Sequence, residues 1–275
     1  MLYAARHLNK RYDCFVYGFD KGEITPPVAV LREPAKYSAV ILPLPASLDG
    51  QHISAPYSSE NIDLAFIGQV LEDGGTVFTS KDFPYLDQIC EKHGYLQENY
   101  FGREELQLMN AVPTAEGALE IMMRELPVTI FGLSVLITGF GRIGKVLARQ
   151  LTALGARVTV AARSCEQLAQ AQIAGCETVK LGAELDGVLS VTDVILNTVP
   201  APIFDRRRLM LLKKDCLIID LASKKSVEDM ELAQSAGVNV VWALSLPGKT
   251  APVTAGEIIG KTIENMLTER RDKNA

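Results

Sequence analysis

The sequence predicts an α/β protein, with a doubly wound parallel sheet in its second half and a smaller N-terminal α/β domain. From Ser134 onward, short β-prone runs alternate with segments whose apolar residues recur at helical spacing, as at Ile143, Leu147 and Leu151. Three of the helical segments are followed by a residue that favours the left-handed helix cap, namely Gly155, Gly175 and Gly237. The alternation indicates right-handed crossovers with helices on both faces of the sheet.

Five β-prone runs are expected to be strands of this sheet: residues 135–138, 158–161, 194–197, 217–220 and 238–242. In the less regular first half, runs near Phe15, Val40 and Val77 predict buried strands, and residues 62–71 predict a helix that ends before Gly74 and Gly75. We expect a first domain over residues 1–125 that includes a crossover helix, a second over 126–250, and a C-terminal helix over 251–275 that returns to the first. A cleft between two such domains is a common place for a ligand.

The composition excludes several classes of function. The 275 residues carry a net charge of −5, which gives no electrostatic reason to expect binding to nucleic acid. The run Arg206-Arg207-Arg208 is interpreted as a solvated helix face. No apolar run approaches the ~20 residues of a membrane-spanning helix. Five cysteines without a CxxC pair and three scattered histidines predict reduced thiols, a cytoplasmic location and no metal site.

A glycine-rich hexamer between the first strand of the sheet and the next helix predicts a dinucleotide site. It reads Gly139-Phe140-Gly141-Arg142-Ile143-Gly144 and matches the G-x-G-x-x-G pattern of Rossmann domains in the context that the pattern requires. We expect Gly139 to form the tight turn, Gly141 to admit the pyrophosphate and Gly144 to pack against the strand. The pyrophosphate then faces the free N–H groups at the helix N-terminus. The alternative is a structural turn without a ligand.

The end of the second strand favours NADP over NAD. Domains that prefer NAD usually place Asp or Glu there to hold the ribose 2′-hydroxyl. This chain has Arg163 and Ser164 instead, and no carboxylate precedes Glu166. We expect Arg163 to pair with a 2′-phosphate and Ser164 to add a hydroxyl group. The alternative is that Arg163 is an ordinary surface arginine.

Two turns that follow later strands are expected to border the nicotinamide, because ligands of open α/β sheets lie outside the carboxyl ends of the strands. The residues concerned are Thr198, Val199 and Pro200 in one turn, and Ala222, Ser223 and Lys224 in the other. The loop after the last strand carries Lys249, which is expected to hold a substrate carboxylate; a merely structural loop is the alternative.

The histidines argue against a histidine-dependent hydroxy-acid dehydrogenase. His7, His52 and His93 all lie in the first domain, and none follows a strand of the second-half sheet. Proton transfer then needs a lysine, a glutamate, a hydroxyl group or water. Glu116, near the expected start of the crossover helix, is a candidate, or an ordinary first-turn glutamate that the helix dipole stabilises.

Five segments in the same order resemble the dipicolinate synthase A-subunit family of spore-forming bacteria: residues 110–117, 139–144, 197–200, 220–224 and 246–256. The resemblance covers the chain from about Tyr17 to its end. It implies NADP-dependent oxidation of the dicarboxylate dihydrodipicolinate, or of its hydrated precursor, to dipicolinate. It also implies that the partner is a flavoprotein-like B-subunit, and that the reaction takes place in the mother-cell cytoplasm during sporulation. We further expect a homo-oligomer.

The chain departs from the family pattern at three places. It opens at what is expected to be the helix after the family's first strand and Gly-Gly-Asp turn. Lys225-Ser226-Val227 replaces Pro-Gly-Gly, and Ser245 replaces a glycine near the expected substrate pocket. Two alternatives stay open: another NADP-dependent reductase of a small hydroxy or cyclic acid, and a non-catalytic NADP-binding subunit of a flavoprotein complex.

Overall fold

A computed structural model describes residues 1–21, 28–31 and 35–274 of the chain. The chain divides into two compact units, one formed by Met1–Asn110 with Pro252–Ala275 and the other by Ala111–Ala251. The first division falls at Asn110, within the helix Glu104–Glu125. Among the described residues, no helix is long and apolar enough to cross a membrane.

The helices and strands of the described residues are as follows. The strands are β1 Phe15–Val16, β2 Ala29–Val30, β3 Tyr37–Ile41, β4 His52–Ile53, β5 Ile62–Asp63, β6 Leu71–Thr79, β7 Leu96–Asn99, β8 Ser134–Thr138, β9 Arg157–Ala162, β10 Glu177–Lys180, β11 Val194–Asn197, β12 Leu217–Asp220 and β13 Asn239–Trp242. The helices are α1 Leu2–Leu8, α2 Ile67–Val70, α3 Pro84–His93, α4 Glu104–Glu125, α5 Arg142–Ala153, α6 Cys165–Ile173, α7 Asp186–Leu189, α8 Arg206–Leu209, α9 Met230–Ser235, α10 Leu246–Thr250 and α11 Pro252–Asn274. Short 3₁₀ turns lie at Leu64–Phe66 and Ala183–Leu185.

The second unit is built on a six-stranded sheet in the order β10-β9-β8-β11-β12-β13. All neighbouring strands are parallel. Numbered along the sheet's own strands, this order is 3-2-1-4-5-6, the doubly wound Rossmann arrangement. The predicted fold class is therefore confirmed.

The central strands of this sheet are buried on both faces, as continuous apolar runs in parallel sheets usually are. Side chains alternate along each strand, so Val135 and Ile137 enter one apolar cluster while Leu136 enters another. The strand β10 was not expected from the sequence. It lies at the edge of the sheet, where Glu177 and Lys180 are exposed and leave little apolar signal.

The first unit contains a parallel three-stranded sheet in the order β3-β6-β7, and α11 packs against α1. Two glycines on α11 permit close packing of the helices. A Cβ at Gly256 would lie 2.5 Å from the Cβ of Tyr3, and one at Gly260 would lie 2.8 Å from the Cβ of His7. Beneath them, Ile263 is fully buried in an apolar cluster shared by both helices.

The helix predicted over residues 62–71 is wrong. The segment forms β5, a 3₁₀ turn and the four-residue α2, and Leu71 already begins β6. That strand continues through the glycine pair to Thr79, and Gly74 adopts a φ of +70° that favours glycine. The pairing of β3 with β6 shifts register here, between Tyr37 and Ala39. A bulged strand start therefore occupies the place where the apolar spacing predicted a helix end.

The interpretation of the arginine run as a solvated helix face holds for Arg206 and Arg207 but not for Arg208. Arg206 and Arg207 are exposed on α8, but the side chain of Arg208 is only 17% exposed. Its guanidinium donates to Asp186 Oδ1 at 2.8 Å and to two backbone carbonyl groups. Arg208 thus links α8 to α7 within the second unit.

Candidate functional site

The hexamer that begins at Gly139 forms the turn between β8 and α5. Gly139 has a φ of +89°, and a Cβ there would lie 2.5 Å from Thr198 Oγ1. A Cβ on the buried Gly144 would lie 2.3 Å from the carbonyl oxygen of Gly139. Gly141 instead faces open space, with nothing within 4 Å of its Cβ position. The local environments of these glycines fit the three roles of a dinucleotide fingerprint: Gly139 forms the tight turn, Gly144 allows close packing of the helix, and Gly141 leaves room for the pyrophosphate.

The N-terminus of α5 is accessible to an anion. Its N-cap, Gly141, is exposed and supplies no side-chain cap to the first-turn N–H groups. Phe140 is buried, Ile143 packs against the same apolar cluster, and Arg142 is exposed. N–H groups at a helix N-terminus have no intrahelical carbonyl partner, and together with the positive end of the helix dipole they favour a phosphate at this position. The pyrophosphate of a dinucleotide therefore fits the backbone at this turn.

Arg163 and Ser164 lie directly after β9 and are both exposed. Ser164 caps α6, because its Oγ accepts a hydrogen bond from the backbone N of Gln167 at 3.1 Å. The hydroxyl hydrogen of Ser164 is still able to donate to another group. In the described part of the chain, Arg163 forms no hydrogen bond or ion pair. The nearest following carboxylate, that of Glu166, accepts a hydrogen bond from Gln170 Nε2 at 3.2 Å.

A buried polar network that the sequence did not reveal crosses the carboxyl ends of three neighbouring strands. Thr138, Asn197 and Asp220 are partners in the strand register, and each is at most 1% exposed. Thr138 Oγ1 donates to Asn197 Oδ1 at 2.5 Å, and Asn197 Nδ2 donates to Asp220 Oδ1 at 2.7 Å. The other oxygen of Asp220 accepts from the backbone N of Ser226 at 2.6 Å and from its Oγ at 2.8 Å. The sequence signal that could have revealed this network is a polar residue at the end of each of the three buried strands.

The turn after β11 is attached to this network and to β8. The backbone N of Val199 donates to Asn197 Oδ1 at 3.1 Å, and Thr198 Oγ1 donates to the carbonyl oxygen of Thr138 at 2.8 Å. Pro200 follows and is exposed. Thr198 is also the residue that would meet a Cβ at the first glycine of the fingerprint. The structure therefore brings this turn directly against the glycine-rich turn.

The turn after β12 is held from two sides. The backbone N of the buried Ala222 donates to Asp220 Oδ1 at 3.2 Å, and its carbonyl oxygen accepts from Trp242 Nε1 at 3.0 Å. Ser223 and Lys224 are exposed. Lys225 places its Nζ 5.1 Å from the centre of the Trp242 indole ring, a cation–π contact.

Lys249 lies on a short helix, α10, where the sequence predicted a rigid loop. Pro247 is tolerated in the first helical turn because the N–H it lacks has no intrahelical partner there. The preceding Ser245 has a φ of +60°, a left-handed conformation that favours glycine. Lys249 itself is exposed.

Glu116 lies in the middle of α4, which begins at Glu104, so the first-turn alternative is wrong. Its neighbour Gly117 packs against α10: a Cβ there would lie 2.8 Å from Thr250 Oγ1 and 3.0 Å from the Cβ of Leu246. The structure thus brings the helical turn that carries Glu116 next to the segment that carries Lys249. Glu116 is exposed.

Two protein-family models match the chain. The N-terminal domain of the dipicolinate synthase A-subunit matches residues 1–97, and the NAD binding domain of the D-isomer specific 2-hydroxyacid dehydrogenases matches residues 113–240. The chain is 31% identical to the dipicolinate synthase A-subunit of Bacillus subtilis (strain 168) over 232 residues, which cover 84% of this chain and 78% of that protein.

Solved structures agree with these matches. The dipicolinate synthase A-subunit from Bacillus subtilis has a TM-score of 0.86 at 28% identity, covering 99% of this chain and 93% of that one. The corresponding protein from Bacillus halodurans has a TM-score of 0.85 at 28% identity, covering 97% and 93%. An L-alanine dehydrogenase, at 14% identity and a TM-score of 0.70, shares the fold alone.

The strand order, the glycine-rich turn and the dehydrogenase-domain match define an NAD(P)-dependent oxidoreductase with a Rossmann domain that binds a nicotinamide cofactor. Within that class, the chain belongs to the dipicolinate synthase A-subunit family. The resemblance noted in the sequence is therefore confirmed.

Proposed function

We propose that this protein oxidises dihydrodipicolinate, or its hydrated precursor, to dipicolinate with NADP in the cytoplasm of a sporulating mother cell. The observation that carries the proposal is the similarity to the dipicolinate synthase A-subunit over 84% of the chain, which extends across both compact units. A flavoprotein-like B-subunit is the proposed partner, and the protein is proposed to form a homo-oligomer. Family membership and the word "subunit" in the relative's name support the partner.

The site supplies the charges that such a reaction needs. The substrate is a dianion, and two exposed lysines, Lys249 and Lys224, lie on segments that follow β13 and β12. We assign them to its two carboxylates, Lys249 first, so that the ring is oriented and its charge neutralised. NADP, when bound, accepts the hydride that leaves a ring carbon. Glu116 is the proposed acceptor of the proton released with the hydride, since its helical turn lies beside the Lys249 segment.

The glycine-rich turn and the exposed donors after β9 support the cofactor assignment. Residues 139–144 are proposed to hold the pyrophosphate, and Arg163 with Ser164 the 2′-phosphate. Thr198, Val199, Pro200, Ala222 and Ser223 are proposed to border the nicotinamide. The guanidinium of Arg163 has no partner in the described part of the chain and is therefore available to a phosphate.

The proposal is tested by the rise in absorbance at 340 nm when the complex with the second subunit receives dihydrodipicolinate and NADP. Lys249→Ala is expected to lower kcat/KM about tenfold to a hundredfold, because a charged contact to the substrate is lost. Lys92→Ala is the matched control: it removes an exposed lysine from the last turn of α3 in the first unit and leaves turnover unchanged. Wild-type kinetics in Lys249→Ala would remove that lysine from the mechanism.

A second candidate function is a non-catalytic NADP-binding subunit. The observation that favours it is that no histidine lies between Ala111 and Ala251, the unit that contains the whole candidate dinucleotide site. Full activity of the isolated partner would support this candidate. Turnover of a small hydroxy acid in place of dihydrodipicolinate would identify another NADP-dependent reductase instead.

A further inference from the structure

The buried network at the carboxyl edge of the second-unit sheet has all of its hydrogen-bonding groups paired. We call Thr138, Asn197, Asp220 and Ser226 the edge bridge. Asn197 Oδ1 accepts from Thr138 and Val199, while its Nδ2 donates to Asp220 and to the carbonyl oxygen of Val199 at 3.0 Å. The amide of Asn197 thereby uses both of its donors and both of its acceptor positions. Its orientation is fixed by neighbours on both sides.

Asp220 lies at the centre of the bridge. Its two oxygens accept four hydrogen bonds, from Asn197, Ala222 and, twice, Ser226. All four donors are uncharged, and no salt bridge within the described ranges includes Asp220. A carboxylate that is 1% exposed is costly to bury, and four oriented donors offset that cost only while the surrounding backbone keeps its conformation. The carboxylate therefore constrains the turn between Leu221 and Ser226.

The bridge joins two turns that are distant in sequence. Through Asn197 it holds the turn that begins at Thr198, and through Asp220 it holds the turn that carries Ser223 and Lys224. Both turns follow strand ends at the edge of the sheet where ligands of Rossmann domains bind. Apolar side chains could not replace Asn197 and Asp220, because the backbone N–H groups of Val199, Ala222 and Ser226 would lose their acceptors.

We propose that Asn197 and Asp220 are positioning residues: the edge bridge fixes the two turns against which the nicotinamide half of the cofactor binds. The inference rests on nicotinamide-cofactor binding by this family, and not on NADP preference or on the dipicolinate reaction. It predicts that damage to the bridge weakens binding of the nicotinamide half while the adenosine half binds as before.

The experiment compares two Thr→Val substitutions of nearly equal size in the same unit. Thr138→Val removes the hydroxyl that donates to Asn197. Thr192→Val removes a hydroxyl that is 4% exposed and donates to the carbonyl oxygen of Val188, before the start of β11. Calorimetry of the purified full-length chain measures the Kd of NADP and of its fragment 2′,5′-ADP. In Thr138→Val the affinity for NADP is expected to fall about fivefold to tenfold relative to the fragment, because one neutral hydrogen bond is lost. In Thr192→Val that ratio stays at the wild-type value.

Asp220→Asn is the second variant. It keeps the shape of the side chain but sets an amide against donors, so its ratio of NADP to fragment affinity is expected to fall by more than that of Thr138→Val. Equal loss of NADP and fragment affinity in both variants, or no loss in either, would overturn the proposal. An effect of Asp220→Asn without any effect of Thr138→Val would overturn it too, because the carboxylate would then act through its charge and not through the bridge.

The same measurement separates this inference from the assignment of NADP. If the wild-type chain binds NAD and ADP more tightly than NADP and 2′,5′-ADP, the NADP proposal fails, and the ratio of NAD to ADP affinity tests the bridge in the same variants. If these variants leave the ratio of NAD to ADP affinity at the wild-type value, the positioning role of the edge bridge is refuted independently of the NADP proposal.

Discussion

Arg163 is the residue on which the proposed cofactor preference depends. It follows β9, whose neighbour β8 leads into the glycine-rich turn, and its guanidinium is exposed. A carboxylate at this position would repel a 2′-phosphate and accept hydrogen bonds from the 2′-hydroxyl of NAD. An arginine instead attracts a 2′-phosphate, because it offers several fixed donors and a positive charge, and it has no acceptor for the 2′-hydroxyl of NAD. The proposed preference for NADP thus depends on a single side chain.

Arg163→Gln is therefore expected to raise the Kd of NADP about tenfold to a hundredfold and to leave the Kd of NAD nearly unchanged. The reason is the loss of charge-assisted hydrogen bonds to the 2′-phosphate, each of them worth about 1.5–3 kcal/mol. Calorimetric titration with both cofactors measures the effect. Arg149→Gln, at an exposed arginine further along α5, is the matched control and should bind both cofactors as the wild type does. Equal weakening of NADP and NAD in Arg163→Gln would contradict the assignment.

The sequence identified residues that carry a local pattern and missed those that depend on register. The glycines at 139, 141 and 144 were predictable because their spacing reflects one turn of known geometry. Asn197 was predicted to end a strand, as it does in β11, but its burial among polar partners was not predicted. Its partners, Thr138 and Asp220, lie 59 and 23 positions away in the sequence. Only the strand order shows that the three side chains meet.

At the level of elements, burial decided which strands were predictable. The strands β11 and β12 were predicted to the residue because all of their side chains are buried and apolar up to the final polar one. The edge strand β10 lacks that signal. The helix α4 already begins at Glu104, although Glu116 was expected near the start of the crossover helix, and Pro113 lies inside it. Proline usually ends or kinks a helix, but α4 continues through Pro113.

The helix pair α1 and α11 has an electrostatic link that should depend on pH. Glu264, with a side chain 8% exposed, contacts Lys261 at 3.0 Å, His7 at 3.2 Å and Arg11 at 2.7 Å. Hydrogen bonds from Lys261 and His7 lower the pKa of Glu264 below its ordinary value. A carboxyl group whose pKa is lower in the folded state stabilises the fold above its unfolded-state pKa, and the contribution is lost as the pH falls through the folded-state pKa.

Glu264→Gln is expected to lower the free energy of unfolding by about 2 kcal/mol at about pH 7, since charge-assisted hydrogen bonds are lost. The difference from the wild type should shrink as the pH falls below about 4.3, the ordinary pKa of glutamate, because the wild-type carboxylate is then protonated too. Urea denaturation across this pH range measures it. Glu257→Gln, on the exposed side of the same helix, is the control and should show no such pH dependence. A constant difference at all pH values would refute the electrostatic explanation.

At the scale of the whole molecule, the two ends of the chain form one unit and the middle forms the other. Every residue assigned to the cofactor lies within Ala111–Ala251, whereas the apolar cluster that contains Ile263 lies entirely in the first unit. The sequence predicted the cofactor unit better than the first unit, because doubly wound sheets repeat one strand–helix pattern. The first unit consists of short strands and a terminal helix that is far away in the sequence, so its core has no local signature.

This division predicts that stability and cofactor binding can be changed separately. Ile263→Ala removes a fully buried side chain from the first unit and should cost about 3 kcal/mol of stability while leaving the Kd of NADP unchanged. Ile219→Ala is the matched comparison, since Ile219 is equally buried but immediately precedes Asp220 in β12. It should cost a similar amount of stability and also weaken NADP, because the strand that carries the edge bridge is loosened. Thermal denaturation and calorimetric titration of both variants measure the two quantities. A parallel loss of NADP affinity in Ile263→Ala would show that the first unit takes part in holding the cofactor.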